Sequence, residues 1–145
     1  MAANTWSSQA ISRSIELVRD LDSHLPEIMA DPMQLRQVFM NLILNAVDAM
    51  KDGGKLGIKT RFDDANLAVR VELSDTGRGI DPAVMGKLFQ PFFTTKSKGT
   101  GLGLAISKRL IEDHAGKITI EQNAAGGATF IITLPATPSE RVNLA

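Results

Sequence analysis

The sequence predicts an α+β fold built on a mainly antiparallel sheet, and three observations carry that expectation. Strand-like runs come in pairs joined by short polar turns, residues 55–62 with 67–74 and residues 118–121 with 129–134, which spells hairpins rather than crossovers. Two helical segments, residues 32–50 and 101–114, stand apart instead of alternating with single strands as a parallel βαβ sheet requires. A chain of 145 residues with 43% hydrophobic content has material for one core and not for two.

In chain order, residues 14–21 fit two patterns: Ile15, Leu17 and Leu21 alternate with Arg19 as an exception, while Ile11, Ile15 and Val18 would share a helical face. The segment is read as a strand. Asp31-Pro32 opens a helix, with Asp31 as the cap and Pro32 at the first helical position, and Asp52-Gly53-Gly54 stops it after Met50. Strands 55–62 and 67–74 flank Asp63-Asp64-Ala65-Asn66 and should pair antiparallel. Residues 82–88 spell a short helix and 91–98 a loop without period. Residues 101–114 are helical, with Leu104, Leu110 and Ile111 on the apolar face and Ala115-Gly116 as the exit. The last two strands close around Ala124-Ala125-Gly126-Gly127. Residues 14–135 form the expected domain; residues 1–13 read as a flexible segment or expression remnant, and 136–145 as a flexible tail.

Composition excludes several function classes. Sixteen basic and sixteen acidic residues leave no net field to draw the chain to nucleic acid or an anionic membrane. With no cysteine, a disulfide framework, a thiolate metal site and a cysteine nucleophile are all out. No run is long and apolar enough for a membrane helix, and the N-terminus lacks the basic and apolar regions of a signal peptide, so the chain reads as cytoplasmic. No Tyr and one Trp leave little for stacking on single-stranded bases.

Residues 34–51 on a helical wheel place Gln34, Gln37, Asn41, Asn45 and Asp48 in one sector about 80° wide, with apolar residues on both sides of it. A helix apolar on two sides lies between layers, so its polar stripe should open into a cavity. Two asparagines a turn apart then need partners, since an unpaired buried carboxamide costs about 1–3 kcal/mol. Two readings stand open: they bond loop backbone or water, or they aim their oxygens at a hydrated Mg²⁺ beside phosphates, a cation that takes hard oxygen ligands.

Two glycine runs add to this. Asp75-Thr76-Gly77-Arg78-Gly79-Ile80 puts an acid at a strand end, where it can accept an amino hydrogen bond or simply shape a turn. Gly99-Thr100-Gly101-Leu102-Gly103 directly precedes a helix, whose N-terminal N–H groups favour phosphate. It matches neither the dinucleotide fingerprint nor a P-loop. Lys96, Lys98 and Arg78 are cations near this end, Lys98 being read as a solvated loop charge. Phe89, Phe92 and Phe93 are read as packing anchors rather than base-stacking groups.

Four stretches in order resemble the ATP-binding catalytic domain of sensor histidine kinases, in the GHKL superfamily that includes the DNA gyrase, Hsp90 and MutL ATPases. Gln37-Val38-Phe39-Met40-Asn41-Leu42-Ile43-Leu44-Asn45-Ala46 is similar to the N box, and Asp75 to Ile80 to the first glycine box. Leu88-Phe89-Gln90-Pro91-Phe92-Phe93-Thr94-Thr95-Lys96 is similar to the F box, and Gly99 to Ala105 to the second glycine box. The resemblance covers residues 14–135 and implies a two-layer α/β sandwich, a mixed and mainly antiparallel sheet packed on helices, with ATP between the layers. It implies Asn45 as the Mg²⁺ ligand, Asn41 at the Mg²⁺ and phosphate region, and Asp75 on the adenine amino group. Gly77 and Gly79 would shape the adenine pocket, Gly99, Gly101 and Gly103 the hinge and phosphate cradle, with Lys96 as a phosphate contact and Thr129 supporting Asp75. Asp48, Ile80, Phe89, Thr100, Leu102 and Leu104 would complete the binding region.

The resemblance further implies transfer of the γ-phosphoryl group to a histidine on a separate dimerisation and phosphoacceptor domain, a response regulator as indirect partner, no nucleic acid, no direct membrane contact, and a monomeric isolated domain. Asp48 departs from the pattern, which often has a basic residue there, and only Ser97 and Lys98 separate the F box from the second glycine box, implying a short lid as in nitrogen-regulation-type kinases. The superfamily's ATPases carry a Glu one turn before the metal-binding Asn; Asn41 cannot act as a general base, so hydrolysis should be slow. His24 and His114 lie in no helical acceptor motif and read as structural or surface groups, so the chain is expected to be a fragment of a longer kinase. A stand-alone ATPase and a nucleotide-sensing module without transfer are the alternatives.

Overall fold

A computed structural model describes residues 14–91 and 103–136. Its strands are β1 (Ile15–Asp20), β2 (Gly54–Asp63), β3 (Ala68–Asp75), β4 (Lys117–Gln122) and β5 (Ala128–Pro135). Helix α1 (Pro32–Ala49) lies between β1 and β2; α2 (Pro82–Met85) and α3 (Gly103–Asp113) lie between β3 and β4. The strands form one sheet in the order β1-β2-β3-β5-β4. Three of its four pairings are antiparallel, as expected from the hairpins. The fourth, β1 with β2, is parallel, because α1 carries the chain back to the end from which β1 began.

Strand alternation places cross-strand neighbours on one face: Val69 opposite Leu134, Val71 opposite Ile132, Leu73 opposite Phe130. Those six form the core together with Val38 and Leu42 of α1, Ile111 of α3 and Ile118 of β4. Helix α1 packs on α3 and β3, and α3 on β4. A second cluster joins Ala46 and Met50 to Leu56, with Ile15, Leu17 and Ile43 against it, so α1 buries apolar residues on two sides as its pattern predicts.

Asp31 caps α1, its Oδ1 accepting from the N–H groups of Met33 (2.9 Å) and Gln34 (3.3 Å), an arrangement worth about 1 kcal/mol. His114 joins the same end of α1 to the exit of α3. Its Nδ1 is 2.7 Å from the Leu110 carbonyl, which can only accept, so Nδ1 carries the proton and Nε2 accepts the Asp31 N–H at 3.0 Å. His24 is exposed beside Ser23. Helix α2 stops at Met85, short of the expected residue 88, with Gly86 as its cap. Ala136, one residue past the expected domain end, still bridges to Ile28 and donates to the Leu67 carbonyl. The expected loop beyond residue 91, the expected flexible segment 1–13 and all of the expected tail 136–145 except Ala136 lie outside the described residues. Among those described, no helix is long and apolar enough to cross a membrane.

Candidate functional site

The alternation that points Val69, Val71 and Leu73 at the helices continues to Asp75, the last residue of β3. A carboxylate therefore stands at the sheet edge on the helix side, with only 4% of the residue exposed. Its Oδ1 accepts the N–H of Gly77 at 2.9 Å and of Ala128 at 3.3 Å. Burial pushes the carboxyl pKa up; the two N–H groups and the nearby Arg78 charge oppose that shift without cancelling it. A buried acid raised by desolvation and held by two donors is the kind of group that function rather than stability accounts for.

The glycines explain how the chain gets so close. A β-carbon on Gly127 would stand 2.6 Å from Asp75 Oδ1 and collide with its carbonyl oxygen. A β-carbon on Gly77 would collide with the Ala49 carbonyl, so the turn after β3 lies flat on the end of α1. Gly79 adopts φ +71°, a left-handed conformation, with Gln122 and Gly126 packed behind it. Arg78 closes this contact: its N–H donates to Ala49 O and its guanidinium to Asp48 O, both at 3.3 Å. The last turn of α1 has no basic residue, so Arg78 brings the cation that its partly negative end favours.

On the stripe of α1, Asn41 Nδ2 lies 3.4 Å from the Gly103 carbonyl and 3.3 Å from Ser107 Oγ, both on α3. The Gly103 carbonyl can only accept, which fixes the amide with its nitrogen on α3 and its oxygen end turned from that carbonyl. Asn45 and Asp48 follow along the same stripe, each half-buried. The structure thus brings Asn41 and Gly103 together at the α1–α3 seam, sets Gly77 and Arg78 on Asp48 and Ala49 at the far end of α1, and holds Asp75, Gly79 and Ile80 against the β4–β5 turn.

Phe89 and Leu104 pack as their residue pattern predicts, and one expected role, that of Thr129, changes. Phe89 meets Phe130 edge-on, with ring centroids 6.4 Å apart, and Leu104 packs on the same core; both are packing groups. Thr129 does not hold the Asp75 carboxylate. It pairs with Ser74 on the sheet face away from the helices, where its Oγ1 lies 2.9 Å from Ser74 Oγ and 3.2 Å from Asn123 Nδ2. Alternation gives the position beside the carboxylate to Ala128, whose backbone does the work. Lys96, Gly99, Thr100, Gly101 and Leu102, with Phe92, Phe93 and Lys98, lie outside the described residues.

Sequence reasoning missed Ser107, Gly127, Asn123 and Gln122. Ser107 is 0% exposed and sits on the apolar face between Leu104 and Ile111, a polar residue in an apolar stripe that could have marked it. The other three matter through contacts between segments distant in sequence, Gly127 by its close approach to Asp75 and Asn123 and Gln122 by side-chain bonds to the Asp75 and Ile80 carbonyls, for which local pattern gives no signal.

A buried acceptor at a sheet end, beside a helix bearing a carboxamide stripe, is the arrangement expected of a nucleotide-binding domain. Residues 30–138 match the model of the histidine kinase-, DNA gyrase B- and HSP90-like ATPases, and the chain belongs to that family. Its relatives are sensor histidine kinases. The chain is 42% identical over 129 residues to the signal transduction histidine-protein kinase AtoS of Escherichia coli K12, covering 88% of this chain and 21% of that protein. It is 39% identical to sporulation kinase E of Bacillus subtilis 168, covering 89% and 17%. Among solved structures, the nucleotide-free catalytic domain of histidine kinase ThkA gives a TM-score of 0.83 at 35% identity, covering 97% of this chain and 91% of that one. Full-length ShkA in complex with AMPPNP gives 0.80 at 32%, covering 94% and 28%. The chain spans about a fifth of the length of these curated relatives.

Proposed function

We propose that this domain binds Mg-ATP between α1, the turn after β3 and the start of α3, and offers the γ-phosphoryl group to a histidine on a separate dimerisation and phosphoacceptor domain. The observation that carries the reading is Asp75, a buried carboxylate held by two backbone N–H groups at the helix-facing sheet edge. Its second oxygen suits the adenine amino group. Gly77 and Gly79 let the turn beside it pack closely on the end of α1 and on the β4–β5 turn, and the α1 stripe would run from it toward α3, in the direction a triphosphate would extend.

The residues fit Mg²⁺ as a companion of the phosphates. Among the described residues no group of three His, Asp or Glu could hold a bare ion, whereas Asn45, and Asn41 with its oxygen end turned from the Gly103 carbonyl, supply neutral hard oxygens. When bound, the ion neutralises charge on the phosphate oxygens. Lys96 would add a cation and residues 99–103 the phosphate cradle. In the transfer an acceptor imidazole nitrogen bonds to the γ-phosphorus as the bond to the bridging oxygen breaks and ADP leaves; catalysis is positioning and charge stabilisation.

Asn41 has no basic oxygen with which to activate water, which favours transfer over hydrolysis. Residues 14–135 are then the cytoplasmic catalytic domain of a longer kinase, monomeric in isolation, with a response regulator downstream. ThkA has been solved with the response regulator TrrA, a precedent among its relatives. The test titrates the protein with a non-hydrolysable ATP analogue with and without Mg²⁺, then supplies labelled ATP and an acceptor-domain protein. Tight Mg²⁺-dependent binding and label on the acceptor histidine are expected; no binding at millimolar nucleotide sinks the reading.

A further inference from the structure

Pairing of β3 with β5 ends at Ser74 opposite Thr129, so on that side the Asp75 carbonyl has passed the last rung of the ladder. A side chain takes the missing partner's place. Asn123 Nδ2 donates to the Asp75 carbonyl at 2.9 Å and to Thr129 Oγ1 at 3.2 Å. Its Oδ1 accepts the N–H groups of Ala125 at 3.1 Å and Gly127 at 3.0 Å. One end meets a carbonyl that can only accept and the other meets N–H groups that can only donate, so the amide has one orientation. Next to it, Gln122 Nε2 donates to the Ile80 carbonyl, so the two carboxamides tie the β4–β5 turn to both ends of the glycine turn that starts at Asp75. The turn held this way is the one that presents the Ala128 N–H to Asp75 Oδ1 and sets Gly127 against it.

We propose that Asn123 is a positioning residue for base selection: through its bond to the Asp75 carbonyl it sets where the carboxylate stands, and the preference for a purine bearing an exocyclic amino group depends on it. The proposal rests on the reading of Asp75 as the adenine acceptor. A hydrogen bond to a charged group discriminates only over a few tenths of an ångström and a narrow range of angle, so a backbone free to shift at Asp75 loses selectivity before it loses the fold.

The test compares ATP with purine riboside triphosphate, which lacks the amino group, by calorimetric titration of the wild-type protein, Asn123→Asp, Asn123→Ser and Asp75→Asn. Asn123→Asp keeps an oxygen for Ala125 and Gly127 but turns a second oxygen toward the Asp75 carbonyl. Its new charge acts on both triphosphates alike, so the ratio of affinities is the readout. Wild type should prefer ATP by about tenfold or more, and Asn123→Asp should lose about tenfold for ATP while binding the amino-free nucleotide within about twofold of wild type. Preference is read in whichever Asn123 variant is folded by circular dichroism. Equal loss for both nucleotides, an unchanged preference, or failure of both variants to fold overturns the proposal. A preference absent in wild type or intact in Asp75→Asn overturns the reading of Asp75 as well; one lost in Asp75→Asn but kept in the Asn123 variants overturns the role of Asn123 alone.

Discussion

Gly127 lies so close behind Asp75 that a methyl group there would stand 2.6 Å from the carboxylate oxygen. The contact comes from β5 passing beside the end of β3, 52 residues away in sequence. Gly127→Ala must therefore push the β4–β5 turn or Asp75 aside. Backbone shifts of this kind typically cost about 1–3 kcal/mol, and ATP affinity should fall with them. A Gly127→Ala protein with wild-type Tm and wild-type ATP affinity would contradict the contact.

As the proposed adenine acceptor, Asp75 sets function against stability. Burial raises its carboxyl above the unfolded value, so between the two values the native state holds a proton that the unfolded chain has released. Stability then falls as pH rises from the unfolded to the folded value, and above that window the ionised carboxylate is a net cost. Asp75→Asn should match or exceed wild-type Tm at neutral pH and lose this part of the pH dependence, while ATP binding drops steeply. For wild type, affinity should weaken on mild acidification earlier than an ordinary carboxylate would allow, and Asp75→Asn should not show that step. Thermal melts and titrations across the acidic range decide both.

Arg78 should act as a remote cap of α1. Arg78→Ala removes the guanidinium from the Asp48 carbonyl, and the expected loss is about 0.3–1 kcal/mol, smaller in high salt. Chemical denaturation at two ionic strengths measures it; a salt-independent loss would point to packing instead.

Leu42, 0% exposed, faces the core from the middle of the stripe-bearing helix. Leu42→Ala should destabilise by about 2–5 kcal/mol, with nucleotide binding rescued at low temperature if the fold survives. Urea unfolding gives the number directly.

Phosphate release without an acceptor domain should stay near background, since Asn41 offers no base for water. Steady turnover abolished by Asn45→Ala would instead favour an autonomous ATPase.

Much of this architecture was legible in the chain. The Asp31-Pro32 cap, the two-sided apolar pattern of residues 34–49 and the paired strand runs each encode a local preference that the fold respects, so α1 and both hairpins appear where expected. Asp75 could be picked out because strand period and glycine content are local properties too. The parallel pairing of β1 with β2 could not be read, because it depends on how α1 docks and not on anything within residues 15–20. The mistaken role for Thr129 has a similar origin: a one-residue difference along a strand exchanges the two faces of a sheet, and register is decided by the partner strand. The sequence by itself determined the elements and marked the carboxylate and carboxamides of the candidate site, since those follow from neighbours a few residues apart. Only the tertiary structure decided that the Ala128 backbone, Gly127 and Asn123 surround Asp75, because contacts over 48 residues or more arise from packing distant strands side by side.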